Sequence, residues 1–121
     1  MNKKDFYKKL KSIVQSFKPY ELDPLMATAY KDDLPILIKT DLDNQLEVIQ
    51  PEGMNLGFVR CFSSEDEFKS LGVGAVYDEM NLKLACELMI DSGFDGICYL
   101  ANNGAMLGLL WSDFMPKEDF L

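Results

Sequence analysis

Histidine is absent from the 121 residues. That excludes Ser-His-Asp and Cys-His catalysis, imidazole acid–base work and every metal centre that needs an imidazole ligand. Cysteine is scarce. Cys61, Cys86 and Cys98 are an odd number at wide, unpatterned spacing, which is no disulfide framework and predicts reduced, buried thiols in a cytoplasmic protein. No apolar run reaches the roughly 18 residues of a membrane-spanning helix. The charged start, Met1 to Lys11, has no signal-type apolar run behind it. A phosphate-cradling loop is missing too: Gly72-Val73-Gly74 lacks the third glycine and the lysine of the known patterns. It reads as a helix end and a turn.

What is present fits one domain, 1–121, because a split would leave fragments too small for a good core. Apolar residues at 48% and charged residues at 26% are an ordinary globular balance. The net charge of −8 conceals an asymmetry. Residues 1–20 hold six lysines against one acid, Asp5, whereas the rest holds six basic groups against nineteen acids. An acidic body repels nucleic-acid phosphate, so no nucleic-acid partner is expected. The acidity serves solubility or presents a face to a basic protein partner.

The chain opens with a basic amphipathic helix over 1–18. Phe6, Leu10, Ile13, Val14 and Phe17 follow one helix face, lysines occupy the rest, and Pro19 is the expected stop. Two fates remain for this helix: packing on a sheet, or docking on an anionic membrane or an acidic protein. Residues 20–33, interrupted by Pro24, suit a loop with a short helix or a strand. Residues 34–40 and 45–50 read as strands of a hairpin turning at Asp43-Asn44. Leu56 to Phe62 is a strand. Ser64-Glu65-Asp66-Glu67 has the capping-box form and opens a short helix through Phe68 and Leu71, closed by Gly72. Ala75 to Met80 is a brief strand, and Asn81 caps a helix that ends at Gly93. Gly96–Leu100 and Ala105–Trp111 flank the hairpin signal Asn103-Gly104. Ser112 and Asp113 cap a last short turn. This order predicts an α+β fold with a mixed, mainly antiparallel sheet and helices packed on it. The expected core holds Leu84, Leu88, Met89, Phe94, Ile97, Tyr99, Leu107 and Leu109, with Phe58, Phe62 and Phe68 nearby.

Candidate chemistry is thin. Cys61 follows Arg60, but neighbours in a strand point to opposite faces. Asp91, Asp95 and Gly96 match three positions of a calcium loop, yet Gly93 and Asn102 stand at the third and twelfth, where ligands are required. Asp41 to Glu52 has Leu46 where that loop needs glycine. No cofactor and no metal is expected. Adjacent acids such as Asp32-Asp33 suit solvated turns better than a catalytic pair. The residues assigned to partner binding are therefore Asp41, Asp43, Glu47, Glu65, Asp66, Asp78 and Glu79. Trp111 joins them as an aromatic anchor on the condition that it is exposed. A homo-oligomer stays open.

From Leu56 to Phe120 the chain carries a set of recurring features. A strand ends in Phe62-Ser63-Ser64-Glu65-Asp66 at a helix start, and the helix 82–92 ends at Gly93. A strand begins at Asp95-Gly96, and a hairpin returns into Leu110-Trp111-Ser112. In these the chain resembles the N-terminal domain of the SseB family, bacterial proteins named for enhanced serine sensitivity. The resemblance does not extend to the lysine-rich N-terminal helix or to a second domain. It implies a regulatory or accessory role and carries over no catalytic residue. Three function classes follow: a non-catalytic interaction or regulatory module, of which an immunity protein blocking a toxin's basic site is one form; a small thiol- or carboxylate-dependent enzyme; and a ligand-binding domain.

Overall fold

Helix α1 (Lys3–Gln15) forms where the periodicity predicts. Asn2 caps it, accepting the Asp5 N–H at 2.8 Å, and Phe6, Leu10 and Val14 are buried. Its end is not set by Pro19. Phe17 takes a left-handed backbone (φ 49°), its N–H bonds the Val14 carbonyl, and the Lys18 N–H reaches back to Ile13 at 3.1 Å. That is a Schellman closure with phenylalanine where glycine is usual. This is the computed structural model of the chain, and it describes all residues except 44, 71–74 and 120–121. The readings placed on Leu71, Gly72 and the Gly72-Val73-Gly74 stretch lie outside the described residues.

Pro19 instead begins helix α2 (Pro19–Lys31) at its first position, where a missing N–H costs nothing. The undecided stretch 20–33 is thus mostly helix. Leu22, Leu25, Met26 and Ala29 bury one face at helical spacing. Pro24 lies early in the helix and removes only the bond to the carbonyl of Tyr20, an exposed residue. A second left-handed closure follows at Asp33 (φ 50°), with the Leu34 N–H on Ala29 at 2.9 Å.

The strands β1 (Pro35–Asp41), β2 (Val48–Ile49), β3 (Phe58–Phe62), β4 (Ala75–Asn81), β5 (Gly96–Leu100) and β6 (Met106–Leu110) form one sheet. Its order is β4-β1-β3-β5-β6; only β3 and β5 pair in parallel. The expected hairpin of 34–40 with 45–50 is replaced by a looped-out excursion. Leu37 and Ile38 pair with Phe62 and Cys61, then Val48 and Ile49 pair with Val59 and Phe58. Both segments run the same way along one edge of β3 and satisfy its backbone groups, which a closed hairpin would leave unpaired. The loop between them is pinned by the Thr40–Leu46 bridge and the Asp41 N–H on Gln45.

Helix α3 (Glu65–Lys69) follows β3, and helix α4 (Leu82–Asp91) joins β4 to the segment before β5. Ile36, Ile38, Val59, Cys61, Ile97, Tyr99, Leu107 and Leu109 share one buried cluster with Phe6, Leu10, Leu22, Met26, Leu82, Ala85 and Met89. The alternate positions Leu37, Phe58, Phe62 and Cys98 are buried as well, and Phe62, Phe68 and Tyr77 stack edge to face. Gly96 permits the tightest approach, since a Cβ there would collide with the Leu109 carbonyl. The fold is α+β as expected.

Two core assignments fail. Leu84 and Leu88 are 50% and 48% exposed. At about 100° per residue, α4 turns Leu82, Ala85, Cys86 and Met89 inward and carries those two leucines around to the outside. Phe68 and Phe94 are half-buried. The capping of α4 also differs. Asn81 makes no side-chain cap; the Lys83 N–H is taken by the Asp33 carboxylate at 3.0 Å, and the Leu82 N–H by the Leu34 carbonyl at 2.8 Å.

Candidate interaction surface

One form of the enzyme alternative depends on the thiols. All three are buried. Burial pushes the Cys86 and Cys98 thiols up to about 12, with Arg60 only partly offsetting it at Cys98, and raises Cys61 well above its ordinary value. A buried, protonated thiol is inert as a nucleophile. The Asp91 to Asn102 stretch has no calcium-loop geometry: Gly96–Leu100 is extended, and the Asp95 carboxylate accepts the Gly57 N–H at 2.9 Å. Among the described residues no cluster of three metal-ligating side chains occurs.

The acids assigned to a partner divide into two groups. Five carboxylates are engaged within the chain. Glu47 meets Lys39 at 3.0 Å and Arg60 at 3.3 Å. Burial works against its ionisation, but the two cations together outweigh that and hold its carboxyl below the usual range. Glu65 accepts the Tyr77 hydroxyl at 3.1 Å. Asp66 meets Lys11 at 2.9 Å, and that hydrogen-bonded ammonium lowers its carboxyl. Glu79 takes both Lys3 at 2.7 Å and the Tyr7 hydroxyl at 3.0 Å. Asp41 organises its own turn, accepting the N–H groups of Asp43 and Gln45 at 2.8 and 2.9 Å. Asp43 and Asp78 are exposed and have no ion-pair partner among the described residues.

Trp111 does not meet its condition. It is 8% exposed, donates its indole N–H to the Phe94 carbonyl at 2.8 Å and packs edge-on against Phe114. The aromatic-anchor assignment is therefore corrected to a core role, which suits an indole that has both apolar neighbours and a partner for its N–H.

Of the concave regions, the two largest are open recesses of about 550 and 420 Å³ that share Tyr30, Lys83, Met115 and Asp119, and two others bear on the candidate residues. One surrounds Arg60, with Glu67, Ser70, Leu100, Asn102 and Gly104, and has a volume of about 250 Å³. The guanidinium lies 5.5 Å over the Phe62 ring, and Glu47 and Glu67 hold it. With Lys39 added, two cations face two carboxylates, so these groups carry no net charge to attract a charged ligand. The other is an apolar groove of about 100 Å³ between α4 and the sheet. Ile38, Met80, Ala85 and Met89 form its floor, and Leu46 and Leu88 its lips. Leu84 lies one turn from Leu88 along the same outer side of α4.

Sequence reasoning missed this groove by assigning Leu84 and Leu88 to the core. The signal was present. Leu82, Ala85, Cys86 and Met89 already complete an inward stripe, so two further leucines make α4 apolar over a wider arc than one core contact requires. With the geometry set out, comparison with known proteins adds no relative. No family model, no curated protein and no solved structure matches the chain.

Proposed function

We propose that the chain is a non-catalytic protein-interaction or regulatory module of the SseB-like kind, acting in a bacterial cytoplasm, and that α4 with the Leu46 loop is its docking surface. The observation that carries the reading is the pair Leu84 and Leu88, about half exposed beside an apolar groove. Single exposed leucines are ordinary, but several around one concavity mark a contact site. The groove's volume argues against a small-molecule ligand, whose pockets occupy about 300–1,000 Å³. The absence of histidine and the buried thiols support a role without catalysis. The resemblance from Leu56 to Phe120 points the same way. An immunity-type protein blocking a toxin's basic site is one form of this reading, favoured by the free acids Asp43 and Asp78.

The test is affinity purification with three forms of the protein, each checked for folding by its melting curve. A partner held by the wild-type chain is expected to be lost on Leu84→Ser/Leu88→Ser. It is expected to be kept on Lys69→Ser, a change on exposed α3. Equal recovery with all three forms would remove α4 as the docking surface.

A further inference from the structure

We infer that the α4 groove receives a basic amphipathic helix of a partner protein; the inference rests on reading that groove as the docking surface. Three occupants compete for such a face: a second copy of the chain, a membrane surface and another protein. Charge separates them. Asp78 stands opposite Ile38 in the strand register and two residues from Met80, so its side chain shares the groove's face of the sheet. Asp43 belongs to the loop that carries Leu46. Glu87 and Asp91 are exposed too, but they lie with Lys83 on the other flank of α4, away from the groove. Neither Asp78 nor Asp43 has an ion-pair partner among the described residues.

The neighbouring cations are turned elsewhere. Lys39 alternates with Ile38 on β1, so it lies on the other face, where it binds Glu47 at 3.0 Å. Lys83 lies 5.6 Å over the Tyr30 ring on the opposite flank of α4. Lys3 and Lys11 are held by Glu79 and Asp66. The groove therefore combines an apolar floor with acidic surroundings. Two copies joined through it would bring like charges together, and an anionic bilayer would be repelled. A segment with an apolar ridge flanked by lysine or arginine complements both properties.

The geometry favours a helix for that segment. Leu84 and Leu88 are separated by one turn, and the groove runs beside α4, which suits helix-in-groove docking with anchors at i, i+3 or i+4, and i+7. Met80 and Met89 line the floor with side chains that adapt to an entering residue.

Displayed random helical peptides of about 16 residues, roughly 24 Å long, test this when panned against the intact protein at low salt. Selected sequences are expected to carry lysine or arginine around an apolar stripe. They should bind about tenfold or more weakly to Leu84→Ser/Leu88→Ser and to Asp43→Lys/Asp78→Lys, and weaken as salt rises because exposed charges are screened. Acidic or neutral binders that still require the leucines would overturn the basic partner and leave the docking surface standing. Binders indifferent to the leucines, or no binders, would remove the docking surface as well. Sedimentation across a concentration series is expected to show a monomer. A dimer dissolved by Leu88→Ser would make a second copy the occupant, and flotation with phosphatidylserine vesicles abolished by the same change would make it a bilayer. Either result overturns the inference.

Discussion

Helices α1 and α4 are both amphipathic and both contribute to one core, yet their outer sides end in opposite states. The outer side of α1 is basic, and the chain itself supplies acids to it: Lys3 meets Glu79 and Lys11 meets Asp66. The outer side of α4 carries Leu84 and Leu88, and no described residue covers them beyond the lips of the groove. The difference shows where charge asymmetry in a sequence can mislead. A basic helix on an acidic body invites the idea of an external partner, but here Lys3 and Lys11 are met within the chain, while Lys4, Lys8 and Lys9 have no ion-pair partner among the described residues. On α4 the uncovered surface is an apolar one, and Asp43 and Asp78, two candidate acids without an ion pair among the described residues, lie on its sheet side.

The largest expected effect sharpens the division within α4. Met89→Ala removes a buried side chain and should cost about 2–5 kcal/mol. Leu88→Ala, one residue away, should cost well under that, near the roughly 0.5 kcal/mol of a surface change. Urea midpoints measured side by side check this, and equal losses would return Leu88 to the core and close the groove.

The helix ends offer a second contrast. Gly93 closes α4 at φ 86°, whereas Phe17 closes α1 at φ 49°. A left-handed backbone costs a non-glycine residue about 1–2 kcal/mol, so Phe17→Gly should stabilise by up to about 1 kcal/mol after the loss of a half-exposed ring. Gly93→Ala should destabilise by a similar amount. Thermal melts of the two variants should shift in opposite directions.

The starts of the helices differ as well. Asn2 caps α1 from its own N-cap position, whereas the α4 cap is borrowed from Asp33, fifty residues upstream of Lys83. Asp33→Ala should cost about 0.5–2 kcal/mol, while Asn81→Ala should change little because its side chain caps nothing. Reversed magnitudes in denaturant titrations would restore the local cap.

The smallest effects belong to the ion pairs. Lys3→Ala and Lys11→Ala should each cost no more than about 1 kcal/mol and less in high salt. Acid should act through Glu47. Its folded carboxyl titrates below the usual range, so its contribution is present above the unfolded pKa and is lost as pH falls through the lower folded value. Glu47→Gln should therefore flatten the stability curve on the acid side of about pH 4.5, and an unchanged curve would show that Lys39 and Arg60 do not hold it.

Local pattern alone established much of this protein. The periodicity of Phe6, Leu10 and Val14, the alternation through β5 and β6, the turn at Asn103-Gly104 and the stop at Gly93 each lie within a few residues of what they govern, and the α+β class follows from their order. What lay beyond the sequence involved distant partners. The helicity of 20–31 was obscured by Pro24, whose cost depends on where in the helix it falls. Strand β2 was drawn from a hairpin to the free edge of β3. Asp33 reached the first turn of α4 only because the chain brought Leu34 beside Leu82. The fates of the candidate acids were set the same way: Glu79, Asp66 and Glu47 met cations from remote segments, while Asp78 and Asp43 met none. An apolar stripe on a helix shows that it will bury one face. Which leucines remain outside that face is decided by how the helix is rotated against the sheet, and that rotation is a property of the packed structure.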